Sequence, residues 1–137
     1  MERNQIYKCS VCGHIIEILH SSDGKLVCCD KPMELQRANT VDASIEKHVP
    51  VITQKKDKVI IKVGSEPHPM VENHYIEWIE LITSYSIQRI YLTPNSPPMA
   101  EFEINPNYPS EKIVPYYARA YCNLHGLWQS NRGDIIS

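Results

Sequence analysis

The chain has 137 residues, 42% apolar and 22% charged, which excludes wholesale disorder, collagen-like repeats and low-complexity sequence. Its 14 basic and 16 acidic residues leave a net charge of -2, so no basic surface for a polyanion is expected. The cysteine count is 5, an odd number, so at least one thiol lies outside any intrachain disulfide.

The opening Met1–Gln5 is polar and runs into Ile6-Tyr7-Lys8-Cys9, not into the apolar core of a leader. No apolar run approaches the ~20 residues of a membrane helix. The expected compartment is a reducing cytoplasm, where clustered cysteines bind metal more often than they pair. Cys9, Cys12, Cys28 and Cys29 cluster near the start, and Cys122 stands apart. Ile15–Leu19 reads as a short strand, Ser22-Asp23-Gly24 as a turn, and Lys25–Cys28 as a second strand. The polar, aperiodic stretch Gln36–Thr40 marks a boundary, predicting one module over residues 1–36 and another over 37–137.

In the larger part, Val49–Thr53 and Val59–Val63 flank the charged turn Lys55–Lys58, a hairpin pattern. Ile76–Ile82 has some helical periodicity, but its β-branched and aromatic content favours a strand. Ser86–Leu92, Met99–Ile104 and Tyr117–Cys122 read as further strands. Nine of the 10 prolines lie at or after Pro50, which leaves little room for long helices. Short strands between turns predict a β-sandwich.

Two constellations carry chemistry. Cys9-x-x-Cys12-Gly13 and the adjacent pair Cys28-Cys29 offer four soft thiolates, which suit a tetrahedral zinc or iron. A module of this size has too little core to fold alone, so the metal would supply much of its folding free energy. The missing spacer between Cys28 and Cys29 departs from zinc ribbons and rubredoxins. Adjacent residues on an extended chain point to opposite faces, so this pair must bend to meet one ion and should distort the tetrahedron. A structural zinc knuckle, a vicinal disulfide and a redox-active Cys9/Cys12 pair are the alternatives. With four thiolates available, His14 and His20 are read as surface bystanders.

The second constellation comprises Glu46-Lys47-His48-Val49-Pro50, Pro67-His68-Pro69, His74 and Cys122-Asn123-Leu124-His125-Gly126. Each motif alone is weak; a lone histidine is usually a surface or satisfied core residue. Together they assemble four imidazoles and one thiolate. Five donors suggest a metal with one open position, and mixed nitrogen and sulfur suit iron. A ferrous ion there would keep about one unit of positive charge and attract a small anion, and a thiolate opposite the open position would push electron density toward it.

These stretches, with Tyr7–Gly13, Val63–Met70, His74–Leu81 and Tyr121–Trp128, occur in one order along nearly the whole chain. In that order the sequence resembles the desulfoferrodoxin family of two-iron superoxide reductases. The resemblance implies a mostly β chain: a small desulforedoxin-like, rubredoxin-like metal module followed by an immunoglobulin-like β-sandwich. It implies a distorted tetrathiolate iron centre at Cys9, Cys12, Cys28 and Cys29, where zinc is an alternative occupant. It also implies a square-pyramidal iron with His48, His68, His74 and His125 equatorial and Cys122 axial. The implied activity is one-electron reduction of superoxide to hydrogen peroxide without dioxygen, with electrons from rubredoxin or a similar donor and a homodimeric assembly. Glu46 would occupy the sixth position of ferric iron, and Lys47 would favour anion approach and order water for protonation. Asn105–Tyr117 is longer than the family's usual connection, and Ser96–Phe102 follows its pattern loosely. The competing readings are a non-haem iron electron carrier without significant superoxide turnover, and a zinc-stabilised interaction module.

Overall fold

The computed structural model describes residues 2–55, 57–104, 113–131 and 133–136. The chain divides into two compact units, Met1–Arg37 and Ala38–Ser137.

The first unit holds five short strands: β1 (Ile6–Lys8), β2 (Ile15–Glu17), β3 (Val27–Cys28), β4 (Lys31–Pro32) and β5 (Glu34–Gln36). An antiparallel sheet runs in the order β2-β1-β5, and β3 pairs with β4 alone. The strands either side of Ser22–Gly24 therefore do not pair with each other. β2 folds back on β1 instead, which closes the Cys9–His14 turn, and β3 turns directly into β4. That second turn resolves the problem of the adjacent cysteines. Cys29 and Asp30 have φ of 52° and 60°, the left-handed pair of a two-residue type I′ hairpin loop. The reversal begins inside the Cys28-Cys29 pair, so two neighbours that would diverge on a straight strand face one point. Among the described residues, the buried apolar side chains of this unit are Ile6, Cys9 and Ile18.

The second unit opens with a one-turn helix, α1 (Ile45–His48), followed by β6 (Pro50–Lys55), β7 (Lys58–Val63), β8 (Ile76–Thr83), β9 (Ile87–Tyr91), β10 (Met99–Glu103), β11 (Ile113–Cys122), β12 (Gly126–Gln129) and β13 (Gly133–Ile136). One antiparallel sheet runs β10-β7-β6; the other runs β12-β11-β8-β9, with β13 also on β11. The expected hairpin forms with Pro50 opposite Val63 and Lys55 opposite Lys58. Of the segment Asn105–Tyr117, residues 105–112 lie outside the described residues, and β11 begins at Ile113.

Alternation places Val59, Ile61 and Val63 of β7, with Ala100 and Phe102 of β10, against Ile79 and Leu81 of β8 and Tyr116, Ala118, Ala120 and Cys122 of β11. This shared core makes the two sheets a β-sandwich. The other face of β8 is buried too. Trp78 stacks on Tyr121 with ring centroids 4.6 Å apart, and Glu80 is paired with Arg119 and Arg89. With both faces buried, β8 loses the simple alternation of a strand, which explains its ambiguous periodicity.

Antiparallel pairing brings the start of β6, the end of β7, the start of β8, the end of β11 and the start of β12 to one end of the sandwich. His48, His68, His74, Cys122 and His125 all lie at or beside those termini.

Candidate metal centres

In the first unit, Cys9, Cys12, Cys28 and Cys29 present sulfurs that all lie within 4.8 Å of one another. Cys12 and Cys28 are 3.5 Å apart and Cys28 and Cys29 4.0 Å. A tetrahedral ion about 2.3 Å from each sulfur requires edges of about 3.8 Å, so the cluster fits one ion. The Val11 and Cys12 backbone N–H groups each approach Cys9 Sγ at 3.4 Å. Hydrogen bonding, first from the Cys12 N–H, lowers the Cys9 thiol to about 6. Cys28 is pushed up to about 12, chiefly by its bond with Cys12. The four sulfurs thus compete for protons, and full deprotonation needs a cation among them. All five cysteines of the chain are free.

The second cluster is a square. Ring-centroid distances around its edge are 4.7 Å for His48–His68, 4.8 Å for His68–His74, 5.1 Å for His74–His125 and 4.8 Å for His125–His48. The His48–His74 diagonal is 6.5 Å. Neighbouring rings stand nearly perpendicular, between 76° and 85°. His48 Nε2 is 3.0 Å from His125 Nδ1 and 3.3 Å from His68 Nε2. A metal about 2.1 Å from four coplanar nitrogens sets neighbouring nitrogens about 3.0 Å apart. Cys122 Sγ is the fifth donor, within 4.8 Å of the donor nitrogens of His48, His74 and His125.

Neighbouring groups aim these rings. The Ser44 carbonyl lies 2.7 Å from His48 Nδ1 and the Pro69 carbonyl 2.7 Å from His68 Nδ1. Those oxygens hold the N–H tautomer outward and leave both Nε2 lone pairs facing the centre. His74 Nε2 is buried with no hydrogen-bond partner among the described residues, an orphan that a metal would satisfy. Burial is the main cause lowering the basicity of His48, His68 and His74, with His68 brought to about 4. These are therefore neutral, ligand-ready imidazoles. Burial pushes the Cys122 thiol up, so a nearby cation is needed to make it a thiolate.

Glu46 and Lys47 sit on α1 immediately before His48. The Glu46 carboxylate accepts a 2.9 Å hydrogen bond from Ser44 Oγ. Its pKa is lowered by its own backbone N–H first and by Ser44 second. Lys47 is exposed and immediately precedes His48 on α1, and its charge contributes to lowering both His48 and His74.

The desulfoferrodoxin family profile matches residues 40–131, and the profile of the desulfoferrodoxin N-terminal domain matches residues 1–36. The chain belongs to the desulfoferrodoxin family. A desulfoferrodoxin homolog of Archaeoglobus fulgidus is 52% identical over 126 residues, covering 92% of this chain and 95% of its own. The desulfoferrodoxin of Syntrophotalea carbinolica is 50% identical over 129 residues, covering 94% and 97%. The crystal structure of the superoxide reductase from Treponema pallidum superposes with a TM-score of 0.72 at 28% identity, covering 96% of this chain and all of that one.

The two donor sets match the two iron centres of desulfoferrodoxins. The structure brings together all nine residues read from the sequence as metal donors. It also reveals supports that the sequence reading missed. Asn123 receives the Tyr75 N–H on its Oδ1 at 2.9 Å and donates from Nδ2 to the Asn73 carbonyl at 3.1 Å. It thereby ties the His74 loop to the Cys122 turn. Its place between Cys122 and His125 was the available signal. His14, read as a bystander, lies with Nδ1 3.2 Å from Cys12 Sγ.

Proposed function

We propose that this chain is an oxidoreductase that reduces superoxide to hydrogen peroxide at His48, His68, His74, His125 and Cys122, without forming dioxygen. The observation that carries this reading is the square of four imidazoles backed by one fully buried thiol. Cys122 is fully buried, whereas Glu46 and Lys47 beside His48 are exposed, and a small anion would reach the centre from their side. Ferrous iron held by these five donors would supply the single electron and a Lewis-acidic point of attachment for that anion.

The rest falls to the chain's own side chains. Lys47 carries the positive charge beside the square that approaching superoxide meets, and it raises the local anion concentration. It also orders the water that delivers protons. Reduction consumes one electron and two protons per superoxide. The Glu46 carboxylate, held on Ser44, is the internal anion that closes the open face between turnovers. The nearly balanced basic and acidic totals mean that attraction is local to Lys47 and not a property of the whole surface. In this reading a rubredoxin or similar small donor returns the electron, the chain forms a homodimer, and it works in a reducing cytoplasm, where five free cysteines persist.

The test is pulse-generated superoxide mixed with the iron-loaded, reduced protein, with peroxide and dioxygen both counted. One peroxide per superoxide and no dioxygen is expected. One dioxygen for every two superoxides would show dismutation, and no consumption above the spontaneous rate would leave an electron carrier.

A further inference from the structure

We propose that His14 is a positioning residue of the four-cysteine centre, donating an Nδ1–H hydrogen bond to the Cys12 sulfur that raises the centre's reduction potential. The proposal rests on iron occupying that centre and is independent of the superoxide chemistry at the other one.

Backbone geometry puts His14 in place. β1 and β2 pair with Lys8 opposite Ile15, so the chain must reverse between Cys9 and His14. Gly13, at φ 85°, makes that reversal in the left-handed region. Its N–H bonds the Cys9 carbonyl at 3.1 Å, and the Cys9 N–H bonds the His14 carbonyl at 2.9 Å. Both ends of the turn are tied, which leaves the imidazole over Cys12, at 3.2 Å from Sγ.

The direction of that hydrogen bond follows from metal binding. A metal-bound Cys12 is a thiolate and has no proton to give, so Nδ1 must donate. Cys9 and Cys12 also differ in their surroundings. Cys9 is buried, and two backbone N–H groups approach its sulfur. Cys12 is exposed, and the imidazole covers its sulfur with a side-chain donor. At Cys12 a side chain thus takes the role that backbone N–H groups play at Cys9.

The sign of the effect comes from charge. Four thiolates leave the centre at −1 when ferric and −2 when ferrous. A donor to sulfur stabilises the more negative, reduced state and raises the potential.

Potentiometric titration of the four-cysteine centre, followed by its own visible absorption in the full-length two-iron protein, tests this. His14→Phe should lower the reduced-to-oxidised ratio at fixed ambient potential about tenfold, which is about 59 mV for a one-electron couple. His14→Gln, which keeps an amide donor, should recover part of that shift. An unchanged potential in His14→Phe would overturn the proposal. So would an equal shift in both variants, because that would trace to the lost imidazole ring and not to the donor. The second centre's spectrum and superoxide rate serve as the separate check on the functional reading; they are expected to be unchanged.

Discussion

Gly64 and Glu46 meet at a point where no side chain fits. A Cβ on Gly64 would collide with the Glu46 carbonyl oxygen and lie 2.8 Å from the Lys47 carbonyl carbon. The same carbonyl oxygen accepts the Glu66 N–H at 3.0 Å and the Ser65 hydroxyl at 3.2 Å. The loop after β7 is therefore a seat for the helix that carries Glu46, Lys47 and His48. Gly64→Ala should push α1 off that seat, costing about 1–3 kcal/mol and slowing reaction with superoxide, while the spectrum of the four-cysteine centre is unchanged. Thermal denaturation and the superoxide rate check it; wild-type values for both would show that the loop yields freely.

Lys47 is exposed and does not pack into the core, so its proposed role as a local attractor of superoxide can be tested without disturbing the fold. Lys47→Ala should lower the second-order rate with superoxide by on the order of tenfold at low ionic strength, the low end of electrostatic steering. Added salt should narrow the gap between variant and wild type, because the effect is screened. Rates measured across an ionic-strength series decide this. Parallel salt dependences in the two proteins would remove Lys47 from the encounter.

Among the described residues, Cys122 is the one sulfur grouped with the donors of the second cluster. Cys122→Ser should abolish the thiolate-to-iron charge-transfer absorption of the oxidised centre, with the bands of the four-cysteine centre retained. Survival of that absorption would exclude Cys122 as a ligand.

Asn123 supports two ligand segments at once, through Tyr75 and Asn73. Asn123→Ala should weaken iron binding at the histidine centre by about 10–100-fold, the usual cost of losing an outer-shell contact. Competition with a chelator of known affinity measures it. An unchanged affinity would mean that the Asn123 backbone N–H, which bonds the Tyr75 carbonyl at 3.2 Å, is enough.

The donors were legible because metal chemistry restricts residue type and because prolines, glycines and close spacing flag them individually. Hairpins such as Pro50–Val63 were legible because alternation and a charged turn are local. What escaped the sequence was very short, nonlocal or set by the geometry of a turn. β1 and β5 span three residues each, too few for a pattern. The Gly64–Glu46 approach joins loops that no spacing rule connects. His14 was set aside because four sulfurs already complete a site, yet a turn closed by Gly13 returns it to Cys12. Ile76–Ile82 read ambiguously because burial on both faces of β8 erases its period.

The two units should respond differently to metal loss. The first buries Ile6, Cys9 and Ile18, whereas the second encloses a cluster from Val59 to Cys122. A module with so little apolar burial depends on its ion for folding free energy, and a sandwich of this kind does not. Stripping both metals under reducing conditions should abolish amide protection across residues 1–36 while β7, β8 and β11 stay protected. Hydrogen exchange with peptide-level readout measures both in one experiment. Retained protection in β1 and β2 after complete metal removal would show that the first unit folds on its backbone and its small core alone.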